Sequence, residues 1–288
     1  MNIKSDCLAC LLNQSLRVSK HLQLNEERSQ ELVREALCSI ASYGEVSPPV
    51  AAADLYPKLS QLLGVEDIYE VLKAQSIEEA QKLLPLVTQI LDQSDNRLRA
   101  AIKAAVAGNV IDFATPNHFD LEEEFATVFG SDFALDDEDI FWDRLANAQT
   151  FMIIGDNVGE HLFDKVLLQE IAKYYPHLKL YYAVRGMPII NDVTLKEAQA
   201  IGMDEVAMIV DSGVDTPGLA YEHASDVFMK LYQEMDLILA KGMGNYECLE
   251  GVGDQRIYHL FKVKCEVVAN AVGATLGSLV FKQNLSQE

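Results

Sequence analysis

Acidic, amide and basic residues directly follow three short apolar segments in the second half of the chain. Carboxylate and amide oxygens are the ligands that Mg²⁺ and Mn²⁺ prefer, and lysine or arginine side chains can bind phosphate. Glycines in the same stretches let the backbone approach a ligand closely. The combination predicts metal-assisted phosphoryl chemistry. The apolar segments and the stretches that follow them are Thr150–Ile154 with Gly155–Glu160, Leu178–Val184 with Arg185–Thr194, and Asp236–Ala240 with Lys241–Glu247.

Each of these stretches offers specific ligands. Asp156 and Asn157 supply two oxygen ligands for a hard cation, and Asp192 supplies a third. Arg185 could clamp an anion, and Lys241 stands at a strand end from which it could reach a phosphate. Taken singly, every stretch is also compatible with a plain turn or a helix cap, and the residues around Asp192 in particular suit a cap. Their convergence on one site is what favours a function.

The pattern of apolar residues explains why these side chains should meet. Before about residue 110, apolar residues recur at three- and four-residue spacing, which predicts helices. After about residue 150, β-branched or aromatic runs alternate with helical stretches, which predicts an α/β fold with a mainly parallel sheet. Ligands bind beyond the carboxyl ends of such strands. The predicted strands are Thr150–Ile154, Leu178–Val184, Glu205–Val210, Asp236–Ala240 and His259–Lys264.

The same change of pattern divides the chain into three parts. We predict a helical region over residues 1–110 that packs on the sheet, an acidic connector over residues 111–149, and an α/β metal- and phosphate-binding domain over residues 150–288. The connector is expected to be largely solvated, with some helix, because Asp120–Asp139 is rich in acidic residues.

Composition and charge restrict the partners. The 288 residues carry a formal net charge of −21, which argues against nucleic acid and against an anionic membrane surface, because both attract basic proteins. No apolar run approaches the roughly 18 residues of a membrane-spanning helix. The five cysteines are too few and too scattered for a secreted disulfide framework, so we expect a cytoplasmic protein. The sequence does not fix the oligomeric state.

Cys7 and Cys10 lie one helical turn apart and would share a face of a helix. With Cys265 and one further ligand they could form a second metal site, or they could form a redox-active pair. Burial of two small apolar side chains explains the spacing equally well. The histidines show no ligand spacing, so packing or surface roles are expected for His118, His161, His177, His223 and His259.

Three segments, in their order and spacing, resemble the signature motifs of the damage-control phosphatase family, also known as domain of unknown function eighty-nine. They are GDNVGEHLFDK from Gly155, RGMPIINDVT from Arg185 and AKGMGNYE from Ala240. The segments CLAC, AVAGNVIDFA and FKVKCEVVAN look like the prokaryotic, cysteine-containing subfamily. The resemblance implies a helical N-terminal region on a three-layer α/β/α domain. It also implies hydrolysis of small phosphorylated metabolites, supported by Mg²⁺, Mn²⁺, Co²⁺ or Ni²⁺.

The resemblance also implies roles for individual residues. The metal ligands fall on Asp156, Asn157 and Asp192, and the phosphate-contacting lysine falls on Lys241. The predicted catalytic residues are Asp156, Asp192, Lys241, Glu160 and Asp112. The predicted phosphate- or substrate-binding residues are Asn109, Arg185, Asn191, Thr194, Lys241, Gly242 and Asn245.

The identity of a general base stays open among Asp112, Glu160 and Asp192, and a bound metal could make a base unnecessary. No phosphatase motif of the type DxDxT or DxDxV supplies an aspartyl nucleophile, which favours direct attack of water on a metal-bound phosphate. Two other functions remain as alternatives. One is an S-adenosylmethionine-dependent carboxyl methyltransferase that uses GDNVG as its loop, although the GxGxxG spacing is missing. The other is a non-catalytic protein that binds a metal or a phosphorylated ligand.

Overall fold

The structure, a computed structural model, describes residues 1–110 and 121–285. None of the helices in these two ranges is both long and apolar enough to cross a membrane. The α-helices they form are α1 (Ser5–His21), α2 (Glu26–Ile40), α3 (Pro48–Leu63), α4 (Glu70–Gln93), α5 (Arg97–Val110), α6 (Leu121–Gly130), α7 (Glu138–Asn147), α8 (Glu160–Tyr174), α9 (Leu195–Ala200), α10 (Asp226–Gln233), α11 (Gly242–Leu249) and α12 (Glu266–Val272). The strands are β1 (Phe133–Asp136), β2 (Thr150–Ile154), β3 (Lys179–Val184), β4 (Met208–Asp211), β5 (Leu237–Lys241), β6 (Ile257–Lys262) and β7 (Leu279–Gln283).

All of these strands join one sheet in the order β1-β7-β6-β5-β2-β3-β4. The five predicted strands correspond to β2–β6, whose neighbouring pairs are all parallel, whereas β7 pairs antiparallel with β6 and β1 pairs parallel with β7. From β2 the chain first builds outwards through β3 and β4, and it then returns to the other side of β2 with β5. This reversal is a topological switch point at the carboxyl ends of β2 and β5, the place where open α/β sheets bind ligands. We call this end of the sheet the crevice.

Both faces of the sheet are covered, and the alternation along β2 demonstrates it. Phe151 and Ile153 belong to an apolar cluster with residues of α4, α5 and α8, whereas Met152 and Ile154 belong to a cluster with residues of α10 and α11. Successive side chains of a strand point to opposite faces, so a strand covered on both faces is apolar throughout. The predicted three-layer α/β fold with a mainly parallel sheet is therefore confirmed.

The N-terminal helices begin and end at residues suited to those positions. The Asn25 side chain caps α2 by accepting the Arg28 N–H at 2.9 Å, and Ser47 caps α3, whose first residue is Pro48. Proline suits this position because its missing N–H would have no partner within the helix. Gly64 ends α3 in the left-handed conformation with φ of 72°, which glycine adopts without strain. Local sequence thus sets these boundaries.

The structure corrects the expectation of a solvated connector for residues 121–149. Within this range β1 pairs with β7 at the edge of the sheet, and Phe125, Phe133 and Phe141 are buried. The buried carboxylate of Glu138 forms an ion pair with Arg99 on α5. Acidic residues dominate the composition of the segment, but the aromatic residues between them determine where it packs.

Phe141 on α7 lies at the centre of an aromatic group, with ring centroids 5.1 Å from Phe281 and 5.3 Å from Tyr258. We expect Phe141→Ala to lower the free energy of unfolding by about 3–5 kcal/mol, because the change removes buried apolar contacts and leaves a cavity. The neighbouring Ile140 is 50% exposed, so Ile140→Ala should change it by less than about 0.5 kcal/mol. Urea unfolding measures both variants. Equal effects would contradict the packing of α7 on the sheet.

Candidate active site

The turn after β2 brings the first polar residues to the crevice. It spans Gly155 to Gly159, and α8 begins directly after it at Glu160. A Cβ atom on Gly155 would lie 2.6 Å from the Tyr182 hydroxyl, and Gly159 has φ of 95°. Both positions therefore favour glycine. This tight turn holds Asp156 and Glu160 at the same end of the sheet.

The exit of β5 lies against Asp156. Gly242, the first residue of α11, has φ of 77°, and a Cβ atom there would lie 1.9 Å from Oδ2 of Asp156. No side chain fits in that space. Gly242 was expected to bind substrate, and the contribution that its geometry shows is to leave room for the Asp156 carboxylate.

Two side-chain amides hold the Asp156 and Glu160 carboxylates together. Nδ2 of Asn109 donates to Oδ2 of Asp156 at 2.9 Å and to Oε2 of Glu160 at 3.0 Å. Nδ2 of Asn157 donates to the same two oxygens at 2.7 Å and 3.3 Å. Asn109 belongs to α5, and its Oδ1 accepts the Lys262 N–H at 3.3 Å. The amides offset part of the repulsion between two buried acids, and they connect α5 to the crevice.

The segment after β3 runs alongside the turn after β2. Asp192 and Asn157 form an isolated antiparallel bridge, and the Val193 N–H donates to the Asp156 carbonyl oxygen at 2.9 Å. These backbone contacts bring the three predicted metal ligands to one place. Their side chains consist of two carboxylates and one amide.

Arg185 and Asp192 form a buried ion pair at this exit. Nε of Arg185 donates to Oδ2 of Asp192 at 2.7 Å, and the two side chains are 1% and 0% exposed. Nη2 of Arg185 lies 3.8 Å from Oδ1 of Asp156, which is too far for a hydrogen bond. In the described part of the chain, this Nη2 atom and Oδ1 of Asp192 are buried without a hydrogen-bond partner. Burying a polar atom without a hydrogen bond costs free energy. A cation beside the carboxylate oxygen and an anion beside the guanidinium would therefore stabilise the site.

Crowding and burial shift the acids of the crevice towards their protonated forms. Burial raises the pKa of Asp156 well above its usual range, and the charges of Glu160 and Asp192 raise it further. The cations of Arg185 and Lys264 act in the opposite direction. Burial also raises the pKa of Asp192 to about 6, although the Arg185 guanidinium opposes it. A bound cation would favour the ionised forms of both carboxyl groups.

Lys241 is fully buried, and its ammonium group is already paired. Its Nζ atom donates to Oε1 of Glu160 at 2.5 Å, to Oδ1 of Asp164, and to the Ala105 carbonyl oxygen at 3.1 Å. Burial alone lowers the pKa of Lys241, but the Asp164 and Glu160 carboxylates outweigh it and raise the pKa above its ordinary value. Since an ammonium group has three N–H bonds, none is left for a ligand. The structure therefore gives no support to a phosphate contact by Lys241, which stays a prediction.

Three further residues that were expected to bind substrate support the local backbone. Thr194 caps α9, and both its hydroxyl and its N–H donate to the Glu197 carboxylate, so the alternative of a helix cap is the one observed. Asn245 is fully buried and makes hydrogen bonds of 2.6–3.2 Å with three backbone groups. The Asn191 carbonyl oxygen accepts the Val158 N–H at 2.8 Å. A substrate contact by the Asn191 side chain stays a prediction.

Asp112 and His118 lie outside the described residues. Cys7, Cys10 and Cys265 are free thiols. Residues 1–110 and 121–285 contain no group of three or more His, Cys, Asp or Glu side chains arranged to hold a metal ion. The expected second metal site at the cysteines is therefore not assembled there, because the thiols lack the partners that such a site needs. The two carboxylates and one amide at the crevice do not amount to such a group either.

The other predicted histidines have packing or surface positions, as expected. Burial lowers the pKa of His161 to about 4 and the pKa of His259 to about 3, so both rings are neutral near pH 7. Nδ1 of His223 lies 2.6 Å from Oδ1 of Asp215, and His177 is exposed.

Asp164 and Lys264 are polar residues of this region that the sequence analysis missed. Asp164 lies one turn after Glu160 on α8 and is fully buried against Lys241. Burial raises the pKa of Asp164 to about 6, and Lys241 opposes this shift. Lys264 is exposed just after β6, and its charge favours the ionised form of Asp156. Two acids at i and i+4 at the start of α8, which share a face of the helix, were the available signal for Asp164.

Comparisons with known proteins match nearly the whole chain. A sequence model of the damage-control phosphatase ARMT1-like domain matches residues 3–280. Over 287 residues the chain is 31% identical to a damage-control phosphatase of Pyrococcus horikoshii, covering 99% of each protein. It is 32% identical over 287 residues to a damage-control phosphatase of Archaeoglobus fulgidus, covering 98% of this chain and 99% of that protein. The crystal structure of a DUF89 family protein of Pyrococcus horikoshii is similar with a TM-score of 0.90 at 29% identity, again over 99% of each chain.

The Lys241 ion pair predicts a stability effect with a definite pH dependence. We expect Lys241→Met to lower the free energy of unfolding by about 3–5 kcal/mol at pH 7, because Glu160 and Asp164 would remain buried without their cation. Burial already raises the pKa of Asp164 to about 6, and loss of the Lys241 cation would raise it further above the unfolded value near about 4, so the folded variant would bind more protons than the unfolded chain. Stability of the variant should therefore fall as pH rises from about 4.5 to 7. Urea unfolding across this range measures it, with the exposed Lys179→Met as the control. Equal pH dependence in the two variants would contradict the pairing.

Proposed function

Because the chain belongs to the damage-control phosphatase ARMT1-like family, we propose that it is a divalent-metal-dependent phosphatase acting on small phosphorylated metabolites. The observation that carries this proposal is that two buried polar atoms at the crevice, Oδ1 of Asp192 and Nη2 of Arg185, have no hydrogen-bond partner in the described structure. A carboxylate oxygen is stabilised by a cation, and a guanidinium N–H is stabilised by an anionic oxygen. A phosphate ester bound together with a metal ion supplies both. The names of the relatives from Pyrococcus horikoshii and Archaeoglobus fulgidus support phosphatase activity.

The side chains at the crevice fit Mg²⁺ or Mn²⁺. We assign Asp156, Asn157 and Asp192 as the residues that would hold the cation, since these ions take carboxylate and amide oxygens and keep several waters. Burial raises the pKa values of Asp156 and Asp192, and a divalent cation beside the two carboxyl groups would favour their ionised forms. Co²⁺ and Ni²⁺ can also occupy such a site. When bound, the cation would polarise a phosphate oxygen and lower the pKa of a water molecule.

Arg185 and Lys264 are the proposed phosphate-binding residues. The bond from Nε of Arg185 to Asp192 fixes the guanidinium group and leaves Nη2 without a partner in the described structure. Lys264 stands exposed after β6, the strand next to β5, and can follow a substrate because its side chain is flexible. Their charges would neutralise the phosphate oxygens as negative charge spreads over them during the reaction. Lys264 thus takes the role first expected of Lys241.

Glu160 is the least suited of the three candidates for a general base. Its side chain is fully buried, its Oε1 accepts the Lys241 ammonium, and its Oε2 accepts amide N–H groups from Asn109 and Asn157. A base needs a free lone pair directed at the attacking water. We propose that Glu160 instead orients the two amides and Lys241, and that water attacks the phosphate directly.

Removing a proposed metal ligand should abolish activity without unfolding the protein. We expect Asp192→Asn to reduce kcat/KM for p-nitrophenyl phosphate with Mn²⁺ by about 100-fold or more, because the site loses a carboxylate ligand of the cation that would offset charge on the reacting phosphate. A chelator should have a similar effect on the unaltered protein. The exposed Asp204→Asn, a matched change away from the crevice, should keep activity within about twofold. Activity that survives both the Asp192 change and chelation would overturn the assignment.

The proposed binding of phosphate by Lys264 can be tested by product inhibition. We expect Lys264→Gln to weaken inhibition by inorganic phosphate about tenfold, since one charge-assisted contact is worth about 1.5 kcal/mol or more. The free energy of unfolding should hardly change, because the side chain is exposed. Lys230→Gln, at another exposed lysine, should leave both quantities unchanged. Unaltered phosphate inhibition in Lys264→Gln would remove Lys264 from the site.

A further inference from the structure

Two residues of the α/β half belong to the apolar core of the N-terminal helices. This core is built by α1, α2, α3 and the residues around Ile68, and it also contains Ile189, with Ile190 packed against it. Within the described residues, no other member of this cluster lies beyond Tyr69 in the sequence. We call this pair, Ile189 and Ile190, the isoleucine anchor.

The isoleucine anchor lies in the segment between β3 and α9 that also carries Arg185 and Asp192. Ile189 is 3% exposed, whereas the three residues before it, Gly186 to Pro188, are exposed. The burial of Ile189 therefore results from the helical core and not from its immediate neighbours. Apolar burial of one such side chain stabilises its position by about 1.5–3 kcal/mol.

Ile190 adopts a backbone conformation that a β-branched residue rarely takes. Its φ is +38°, in the left-handed region. Such a conformation costs about 1–3 kcal/mol and persists only where surrounding contacts impose it. Here the surrounding contacts are those with the helical core, in which Ile189 is buried and against which Ile190 packs. The chain thus reverses at Ile190 and directs the next residues back to the crevice.

The anchor is directly connected to the proposed metal ligand. The Asp192 N–H donates to the Ile189 carbonyl oxygen at 3.1 Å, which closes a tight turn between the two residues. On the other side of this turn, Asp192 forms its bridge with Asn157 and its ion pair with Arg185. A shift of Ile189 would consequently move the backbone of Asp192, whose Oδ1 atom is the unpartnered acceptor in the crevice.

We propose that Ile189 is a positioning residue through which the core of α1–α3 sets the orientation of Asp192. This inference rests on the proposed function for its catalytic consequence, and it adds that the helical region acts on the cation site. Side chains that hold a metal ligand in place, without touching the metal, typically change metal affinity by about 10- to 100-fold when they are lost. Loosening of the anchor should therefore weaken cation binding before it affects the fold as a whole.

The test compares Ile189→Ala with Leu59→Ala. Leu59, on α3, is a fully buried member of the same cluster, so its truncation weakens the helical core without acting on the segment that carries Asp192. Calorimetric titration with Mn²⁺ should show binding at least about tenfold weaker in Ile189→Ala and within about threefold of the unaltered protein in Leu59→Ala. Ile189→Val, which keeps most of the side chain, should restore most of the affinity.

Amide hydrogen exchange provides a readout that does not depend on a metal. In Ile189→Ala, the Asp192, Val193 and Val158 amides should exchange faster, because each of these hydrogen bonds has its donor or its acceptor in or next to the displaced turn, while β5 stays protected. Equal Mn²⁺ affinity in Ile189→Ala and Leu59→Ala, with unchanged exchange at these amides, would overturn the proposal. An unaltered protein that binds no Mn²⁺ while the exchange rates respond as expected would contradict the proposed function and leave the positioning role supported.

Discussion

The structure depends on the burial of four carboxylates around the exit of β2, next to the buried cations Lys241 and Arg185. Lys241 forms ion pairs with two of the acids, and Arg185 pairs with Asp192 and lies 3.8 Å from Asp156. Removing charges from water costs several kcal/mol for each ion unless every charge has a partner. Burial is the main cause of the raised pKa values of Asp156 and Asp192, and one carboxylate oxygen of Asp192 has no hydrogen-bond partner in the described structure. The four acids are Asp156, Glu160, Asp164 and Asp192.

The same buried charges connect the helical region to the α/β domain. The Ala105 carbonyl oxygen and the Asn109 amide, both on α5, complete the partners of the buried charges. Gly108 allows α5 to approach α8, because a Cβ atom there would lie 2.6 Å from Phe163. From the other side, the core of α1–α3 holds Ile189 next to Asp192. The crevice is therefore built by helices from the first half of the chain and by strand exits from the second.

The sequence predicted β2–β6 because these strands are mostly apolar, and β2, β5 and β6 in the middle of the sheet are almost fully buried. The predicted bounds of β2, Thr150–Ile154, are the observed ones. The convergence of the strand exits followed from the parallel topology. The edge pair β1 and β7 escaped prediction. Phe133–Asp136 is four residues long and lies in an acidic context, so neither its periodicity nor its composition marks a strand.

Within the site, ligand types could be predicted from the sequence, but the direction of each side chain could not. Lys241 and Lys264 both lie at strand ends, and only the fold shows that one is buried against acids and the other is exposed. The direct measurement of the central claim is an anomalous difference map from a crystal soaked in Mn²⁺. We predict one strong peak within coordination distance of Oδ1 of Asp192 and the Asp156 carboxylate. A crevice without a peak, or a peak only at Cys7 and Cys10, would contradict the account.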